Sequence, residues 1–355
     1  MPTGDFKGII ASIAQGERLD VPRAQEAFDI MMSGEATEAQ IGAFLMGLRL
    51  RGETVDEITG GVLTMRAKVM GIDAPAGAID TCGTGGDASG TYNISTATSF
   101  VVAGLGVPVA KHGNRALSSK SGAADVLQAL GVNIDAHVSL IRKSLWEANI
   151  CFLMATRHHG AMRHVGPARA ELGTRTIFNL LGPLSNPAGA KRQLVGVFSR
   201  DWVEPLAQVL GRLGSERAWV VHGSDGLDEL TTTGPSFVAE LKDGKVSTFE
   251  VTPADADLPA AKPEELKGGD AETNALAINA LIDGHLGPFR DIVLLNAAAA
   301  LIVAGRAEDL KSGAEMAAGC LDSGKAREAL EALVQITNLP DPADLPEPTN
   351  PPQPK

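Results

Sequence analysis

The chain has 355 residues, a formal net charge of −12 and an isoelectric point near 5.1. General binding to nucleic acid or to an anionic membrane needs a positive field, which this charge balance lacks. Aromatic residues make up 4% and include one tyrosine, Tyr92, whereas a surface that stacks single-stranded bases uses more. We therefore expect no nucleic-acid partner and no membrane partner, although a local basic cluster could still hold a small anion.

The cysteines and the N-terminus indicate the compartment. The three cysteines, Cys82, Cys151 and Cys320, are far apart and form no CxxC pair, so we expect a reduced, cytoplasmic protein without disulfides or structural zinc. The N-terminus lacks a basic region followed by a long apolar run, and no segment approaches 18 uninterrupted apolar residues. These features predict neither a signal peptide nor a membrane span.

The first part of the chain has a helical pattern. Residues 37–40 (TEAQ) fit a capping box, and apolar residues then recur on one helix face, at Ile41, Phe44, Leu45 and Leu48. A second box, at residues 54–57 (TVDE), precedes another run with helical spacing. We predict a small helical domain over residues 1–75.

From about residue 77, short runs rich in Val and Ile alternate with helical patterns. The strand-like runs are AIDTC, GVPVA, NICFLMA, QLVGVF and RAWVVHG. This alternation predicts an α/β domain over residues 76–339, with a mostly parallel central sheet covered by helices and ligands at the carboxyl ends of its strands. Residues 236–251 read as a hairpin around an Asp-Gly turn. Residues 340–355 contain seven prolines and are predicted to lack fixed structure.

Residues 83–96, GTGGDASGTYNIST, form what we call the glycine loop. Its glycines let backbone N–H groups converge on an anion, and the N-terminus of a following helix adds partial positive charge. Side-chain donors of the kind that surround a phosphate follow, at Thr91, Asn93, Ser95 and Thr96. Asp87 could accept a ribose hydroxyl or support a metal. Because the segment matches neither common nucleotide motif, both a phosphate site and a structural turn remain open.

A second polar segment, residues 111–122 (KHGNRALSSKSG), follows the strand VPVA, and we call it the lysine loop. Lys111 at the strand end is well placed as a point charge for phosphate. Ser118, Ser119 and Ser121 with Gly122 form a donor-rich turn before a helix. A solvated basic loop is the alternative, but two such loops after two successive strands favour a phosphate site.

A third segment, residues 222–234 (HGSDGLDELTTTG), is the acidic loop. Asp228 and Glu229 are adjacent acids at a strand end, with Asp225 close by. Mg²⁺ usually takes one or two protein carboxylates together with phosphate oxygens and water. An acidic loop alone would be a solvated turn, whereas next to two phosphate-type loops it favours a Mg²⁺ site.

A fourth segment, residues 157–189, is basic in its first part. It contains four arginines and three histidines: Arg157, Arg163, Arg169, Arg175, His158, His159 and His164. The histidine pair could hold a metal, but no carboxylate sits at ligand spacing, so we expect neutral ring–ring and backbone contacts for His158 and His159. An arginine just before a buried segment could grip a substrate carboxylate in bidentate fashion.

Together these segments resemble the anthranilate phosphoribosyltransferase family. GTGGD, NIST, KHGNR, SSKSG, VGPARAELGTRTIFNLLGPLSNPAG and the Asp228-Glu229 pair occur in the family's order and spacing, and the resemblance covers residues 5–335. It implies an N-terminal helical domain, with helices from about residues 165–190 added, and a larger α/β domain that binds phosphoribosyl pyrophosphate (PRPP). It also implies Mg²⁺, a homodimer formed through the helical domain, and transfer of phosphoribosyl from PRPP to the amine of anthranilate, in tryptophan biosynthesis.

The resemblance also implies site residues. Those for PRPP are Gly83, Gly86, Asp87, Thr91, Asn93, Ser95, Thr96, Lys111, Asn114, Ser119 and Ala123. Those for Mg²⁺ are Ser95, Asp228 and Glu229, and those for anthranilate are Gly83, Asn114 and Arg169. Catalysis would depend on Arg169 and Lys111, with His112 either assisting proton removal or only shaping its loop. Ala123 departs from the family pattern, since many relatives have Ser there, so only a backbone contact is expected.

Two other functions fit the same fold. A pyrimidine nucleoside phosphorylase would bind phosphate and a nucleoside, and it would not need the tandem acids for Mg²⁺-pyrophosphate. A non-catalytic relative could bind nucleic acid, which the charge of −12 and the few aromatic residues disfavour.

Overall fold

The computed structural model describes residues 5–87, 89–115 and 121–341. Ser118 and Ser119 of the lysine loop, and residues 342–355 of the predicted tail, lie outside the described residues. None of the helices within the described ranges has the length and the apolar character that crossing a membrane requires.

The helices begin where their capping residues predict. Both predicted capping boxes are confirmed. The hydroxyls of Thr37 and Thr54 accept the backbone N–H of the third helical residue, which is Gln40 in α3 and Glu57 in α4. In return, the side chain of that residue accepts the backbone N–H of the threonine. The helices of the described residues are α1 (Phe6–Ala14), α2 (Val21–Met32), α3 (Glu38–Arg51), α4 (Val55–Ala67), α5 (Ile94–Gly104), α6 (Ala123–Ala129), α7 (Val138–Glu147), α8 (Ala155–His158), α9 (Gly166–Leu172), α10 (Phe178–Leu181), α11 (Val203–Arg212), α12 (Ala271–Ile282), α13 (Pro288–Val303), α14 (Leu310–Asp322) and α15 (Lys325–Thr337).

One seven-stranded sheet contains every strand of the described residues, in the order β3-β2-β1-β4-β5-β6-β7. The strands are β1 (Ile79–Gly83), β2 (Val109–Gly113), β3 (Ile150–Met154), β4 (Arg192–Gly196), β5 (Arg217–Gly223), β6 (Ser236–Lys242) and β7 (Lys245–Val251). The first five pair in parallel and the last two form an antiparallel hairpin. At its turn Asp243 and Gly244 both have positive φ, as an Asp-Gly hairpin requires. The predicted mostly parallel sheet and the hairpin are thus confirmed.

Helices cover both faces of the sheet. The helix α13 lies on one face with α5 and α14, and most of its residues are buried, including Val293, Ala297 and Leu301. A helix that is apolar all round suits such a central position. On the other face α11 packs against β5 and β6 and also contacts α4.

The N-terminal helices share a buried cluster with the later segment 165–184. The ring of Phe28 meets those of Phe44 and Phe178, with centroids 5.7 and 5.6 Å apart. In addition, α9 packs on α3 and α10 on α4. The domain limits at residues 75 and 339 stay a prediction.

The chain order of the strands reverses between β1 and β4. From β1 the chain proceeds to β2 and β3 on one side, whereas β4 and β5 lie on the other. In open α/β sheets, ligands bind outside the carboxyl ends of the strands at this point. The glycine, lysine and acidic loops begin within the last one to three residues of β1, β2 and β5, so their described residues reach this edge. Lys111, predicted at a strand end, lies within β2 and is followed by two more strand residues.

Candidate active site

Side chains fill a gap between β1 and β2 beneath the site. These strands pair at Ile79 and Val109 alone, whereas β1 and β4 pair over five residues. Beyond that point Asp80 Oδ1 accepts a bond from the backbone N–H of His112 at 3.0 Å. Asn186 Nδ2 donates to Asp80 Oδ2 at 2.7 Å and to the carbonyl of Ala110 at 2.8 Å. These bonds replace a backbone ladder where the two strands separate.

Lys111 lies in this gap and points toward the glycine loop. Only 2% of the residue is exposed, and Nζ donates to the carbonyl of Thr81 at 2.7 Å and to Ser95 Oγ at 3.1 Å. Burial lowers the pKa of Lys111, while the carboxylates of Asp80 and Glu229 act to raise it. The ammonium group is therefore fixed at the start of α5, between the two predicted phosphate loops.

The acidic loop packs on the ends of β1 and β4 through glycines. A Cβ at Gly196 would lie 1.5 Å from the carbonyl oxygen of Asp228, and one at Gly83 would lie 2.5 Å from its Oδ2. The N–H of Gly85 donates to the same Oδ2 at 2.7 Å. Glycine is thus required at these strand ends so that Asp228 can reach the glycine loop.

Three carboxylates approach one another here. Removal from water raises the pKa of Asp228, and the neighbouring charges of Asp87 and Glu229 raise it further. Removal from water also raises the pKa of Glu229, whereas Lys111 and bonds from Ser95 lower it. Such mutual repulsion away from water is relieved by a cation. The described residues contain no group of three or more His, Cys, Asp or Glu side chains arranged to hold a metal.

Asp225, the third acid that the sequence singled out in this loop, has a different environment. Its Oδ2 accepts bonds from the hydroxyls of Thr231 and Thr233 at 2.8 and 2.7 Å, and Oδ1 accepts from the N–H of Leu227. It is exposed and shapes the loop that carries Asp228 and Glu229.

The glycine loop ends at the N-terminus of α5. Asn93 is the N-cap residue, yet its side chain makes no capping bond and instead accepts one from Asn274 Nδ2 at 2.8 Å. Thr96 Oγ1 is buried and has no hydrogen-bond partner within the part of the chain that the structure describes. The first turn of α5 therefore offers N–H groups and hydroxyls near Lys111, which suits an anion.

Asn274 was missed by sequence reasoning, as were Gly268 and Gly269 before it. The signal was the pair of glycines in LKGGD, which precede the N-cap Asp270 of a predicted helical stretch. Without a strand before it, this segment did not resemble a ligand loop.

The remaining predicted PRPP residues lie nearby in the chain. Thr91 forms an isolated antiparallel bridge with Lys267. Asn114 Oδ1 accepts a bond from the N–H of Arg115, and its carbonyl accepts one from Ala124. Ala123 is the first residue of α6 and directly follows the end of the lysine loop.

His112 points to the opposite face of β2, toward the segment 157–189. Its ring lies 5.2 Å from that of His159, and His158 Nδ1 lies 2.6 Å from the carbonyl of Met70. The expected ring–ring and backbone contacts of this histidine pair are thus confirmed. Burial, and then the neighbouring histidines, lower the pKa of His112 to about 3. Its ring is neutral at pH 7 and a weak base.

Two arginines of this segment have different surroundings. Arg169, on α9, lies with Cζ 5.2 Å from the ring centre of Phe178, and burial lowers its pKa. No carboxylate of the described residues forms an ion pair with it. Arg175 donates to the carbonyl of Gly86 and stacks on Phe198, so it holds the glycine loop. Of these two arginines, Arg169 is therefore the one whose guanidinium is available to a ligand carboxylate.

The chain is similar to known proteins over most of its length. The helical bundle domain of a glycosyl transferase family matches residues 7–69, and the α/β domain of such a family matches residues 75–327. Anthranilate phosphoribosyltransferase of Azospirillum brasilense is 67% identical over 334 residues, which are 94% of each chain. The enzyme of that name from Rhodospirillum rubrum is 63% identical over 95% of this chain and 97% of its own.

Solved structures extend the likeness to three dimensions. Anthranilate phosphoribosyltransferase from Thermus thermophilus superposes with a TM-score of 0.88 at 42% identity, over 92% of this chain and 98% of its own. The Saccharomyces cerevisiae enzyme, in complex with PRPP and Mg, gives a TM-score of 0.85 at 25% identity, over 94% and 97%. The chain therefore belongs to the anthranilate phosphoribosyltransferase family of glycosyltransferases.

Proposed function

We propose that this chain transfers phosphoribosyl from PRPP to the amine of anthranilate, which gives N-(5-phosphoribosyl)anthranilate and pyrophosphate in tryptophan biosynthesis. The observation that carries the proposal is the convergence of Lys111, Ser95, Asp228 and Glu229 at one edge of the sheet. A cation, a hydroxyl and two acids in one place suit a metal-bound pyrophosphate better than phosphate alone.

In this proposal the glycine and lysine loops hold PRPP. The backbone of Gly83 and Gly86, with the donors Thr91, Asn93 and Thr96, would surround its phosphates, and Asp87 would accept ribose hydroxyls. Lys111 would balance charge on the pyrophosphate, because its ammonium already lies beside Ser95. Asn114, Ser119 and Ala123 would complete the site from the lysine loop.

Mg²⁺ would be held by Ser95, Asp228 and Glu229. The donor set fits, because all three residues offer oxygen, which Mg²⁺ prefers, and few protein ligands leave room for phosphate oxygens and water. The raised pKa values of Asp228 and Glu229 also indicate two acids that a cation would stabilise in their charged form. When bound, Mg²⁺ would neutralise negative charge on the pyrophosphate as it departs.

Anthranilate would bind through its carboxylate to Arg169, with Gly83 and Asn114 beside it. The guanidinium is half-buried, so a bidentate pair with a carboxylate would be partly shielded from water. In the reaction the C1′–N bond forms, the C1′–O bond breaks, and its electron pair leaves with pyrophosphate. The amine is neutral near pH 7 and needs no strong base before attack. After the C1′–N bond forms, its nitrogen would release one proton to the departing pyrophosphate. Catalysis is then positioning and electrostatic stabilisation.

We assign His112 a shaping role. A ring whose pKa is about 3 is a poor proton acceptor at neutral pH. The neutral ring of His112, which packs against His159, would instead form part of the wall of the active site next to the segment 157–189.

We also propose that two copies associate through the helical domain and that the protein works in the cytoplasm. On that domain Leu50 is 82% exposed and Met70 is 61% exposed, so apolar side chains are available there to a partner. All three cysteines are free and buried, which agrees with a reducing compartment. Light scattering of the purified chain and of Leu50→Glu tests the dimer.

The proposed reaction is tested by following anthranilate fluorescence with the purified chain and PRPP. We expect consumption that requires both PRPP and Mg²⁺ and that stops when a chelator removes the metal. No consumption, together with phosphorolysis of thymidine or uridine, would contradict the proposal and favour a nucleoside phosphorylase. Tight, salt-dependent retention of DNA or RNA without either activity would favour the binding protein.

A further inference from the structure

Residues 266–274 form what we call the clamp segment, whose first three residues run antiparallel to residues 90–92 of the glycine loop. The N–H of Tyr92 donates to the carbonyl of Leu266 at 3.2 Å, and the N–H of Gly268 donates to the carbonyl of Gly90 at 2.9 Å. Between these two bonds Thr91 faces Lys267. The glycine loop thus gains a short stretch of backbone pairing outside the main sheet.

The two glycines of the clamp segment permit this close approach. A Cβ at Gly268 would lie 2.6 Å from Asn274 Oδ1 and 2.7 Å from the carbonyl oxygen of Thr91. A Cβ at Gly269 would lie 2.8 Å from the side chain of Thr273. Since real Cβ atoms do not come this close to other atoms, the backbone contact depends on glycine.

Asn274 links the two phosphate loops with one side chain. It lies in the first turn of α12 and is 1% exposed. Its Nδ2 donates to Asn93 Oδ1 at 2.8 Å and to Ser121 Oγ at 2.9 Å, while Oδ1 accepts the N–H of Gly269 at 2.8 Å. The amide therefore bonds to the glycine loop, the lysine loop and the clamp segment together.

These bonds are not needed to form α12. The helix is already capped by Asp270, whose carboxylate accepts the N–H of Thr273 at 2.9 Å. Burying an amide costs free energy unless its bonds are made, and a residue that only filled space here could be apolar. The polar side chain is explained by the groups it holds, Asn93 and Ser121.

We propose that Asn274 is a positioning residue of the PRPP site. It holds the amide of Asn93 at the start of α5 and the hydroxyl of Ser121 before α6, so these two groups are in position before substrate arrives. The inference rests on the proposed function, because it assigns these loops to PRPP. It adds a third segment, far from both loops in sequence, to the site.

Steady-state kinetics of Asn274→Ala test this role. Loss of two hydrogen bonds that orient ligand groups should raise KM for PRPP about 10- to 100-fold. We expect kcat at saturating PRPP and KM for anthranilate to change less than about threefold, since the reacting groups are not touched. Leu276→Ala, which alters an exposed residue two positions along the same helix, is the matched control. Equal loss for both substrates would overturn the proposal.

A second variant, Asn274→Asp, keeps the shape and the acceptor for Gly269 but loses both donated bonds. The new carboxylate either repels Asn93 Oδ1 or turns the Asn93 amide over, and in both cases Asn93 presents a different group to substrate. We expect the same PRPP defect, and a wild-type KM for PRPP would contradict the role.

Hydrogen exchange without substrate separates this inference from the proposed function. In Asn274→Ala, peptides that cover residues 85–96 should exchange faster than in the wild type, while those of α14 should not change. Unchanged exchange in the glycine loop would overturn the positioning role, even in an active enzyme. If the wild-type chain did not consume anthranilate, the proposed function would be wrong. The hydrogen-exchange result would still decide the positioning role of Asn274.

Discussion

The two sides of β2 at its carboxyl end provide opposite chemical environments, although Lys111 and His112 are neighbours in sequence. Lys111 points toward α5 and is surrounded by a hydroxyl, a carbonyl and carboxylates. His112 points toward the segment 157–189 and meets another buried ring, that of His159. Burial acts on both, but Lys111 has acids to balance its charge, whereas His112 is held neutral by a pKa of about 3.

The difference indicates how one strand could serve two unlike substrates. Alternation along a strand sends successive side chains to opposite faces. A charged face suits a metal-bound phosphoribosyl pyrophosphate, and a neutral face of rings, with Arg169 on the same chain segment, suits an aromatic acid. Substitutions can alter one side at a time.

The largest effect is expected on the charged side, from the double variant Asp228→Asn, Glu229→Gln. Without both carboxylates the metal site loses its protein charge, so kcat/KM should fall by about a thousandfold or more. A Mg²⁺ titration of activity measures the loss. Glu204→Gln, a charge change on an exposed residue of α11, should leave the titration unchanged. A normal titration in the double variant would reject the metal assignment.

The next effect concerns the glycines that let the acidic loop approach. In Gly196→Ala the new Cβ would meet the backbone of Asp228 at 1.5 Å, which cannot be relieved by a rotamer change. We expect a loss of about 3 kcal/mol of unfolding free energy, together with most of the activity. Chemical denaturation provides the measurement. Gly319→Ala, in an open position on α14, should instead stabilise by about 0.5–1 kcal/mol. A stable, active Gly196→Ala would show that the loop lies elsewhere.

On the neutral side, Arg169→Ala should raise KM for anthranilate about 10- to 100-fold, because a charge-assisted pair with the carboxylate is lost. KM for PRPP should change little. Arg163→Ala, which removes an exposed arginine of the same segment, is the control. If Arg169→Ala raised KM for both substrates equally, Arg169 would not be the residue that binds the anthranilate carboxylate.

How much of this arrangement the sequence predicts depends on distance along the chain. The glycine, lysine and acidic loops each follow a recognisable strand, so their meeting at one edge follows from the parallel sheet. The contacts that hold them do not, because Asp80 meets Asn186 across 106 residues and Asn93 meets Asn274 across 181. A single buried amide has no local pattern, and only the packed fold brings its partners together.

The smallest effect concerns pH and the histidines. Burial lowers the pKa of His159 to about 4, so below its unfolded value of 6.5 the unfolded chain binds a proton that the folded chain does not. The contribution of His159 to the free energy of unfolding is thus fully present above pH 6.5 and is lost as the pH decreases. From pH 6.5 to 5 this one group should cost about 2 kcal/mol. In His159→Gln, the difference in unfolding free energy between pH 7.5 and 5 should shrink by about that amount.

Burial raises the pKa of Asp80 to about 6, so its contribution to the free energy of unfolding increases as the pH falls. This contribution is present both in the wild type and in His159→Gln. It therefore cancels in the comparison. An undiminished acid sensitivity of His159→Gln would mean that the ring is not buried as a neutral group.

The contrast between the two sides of β2 is tested most directly by calorimetric titration of PRPP with Mg²⁺ into Lys111→Met and His112→Asn. Circular dichroism first establishes that both variants are folded. Loss of the buried ammonium should weaken PRPP binding at least about tenfold, whereas loss of the neutral ring should change it less than about threefold. Equal weakening by both substitutions, or none in Lys111→Met, would contradict the division of the site into a charged and a neutral side.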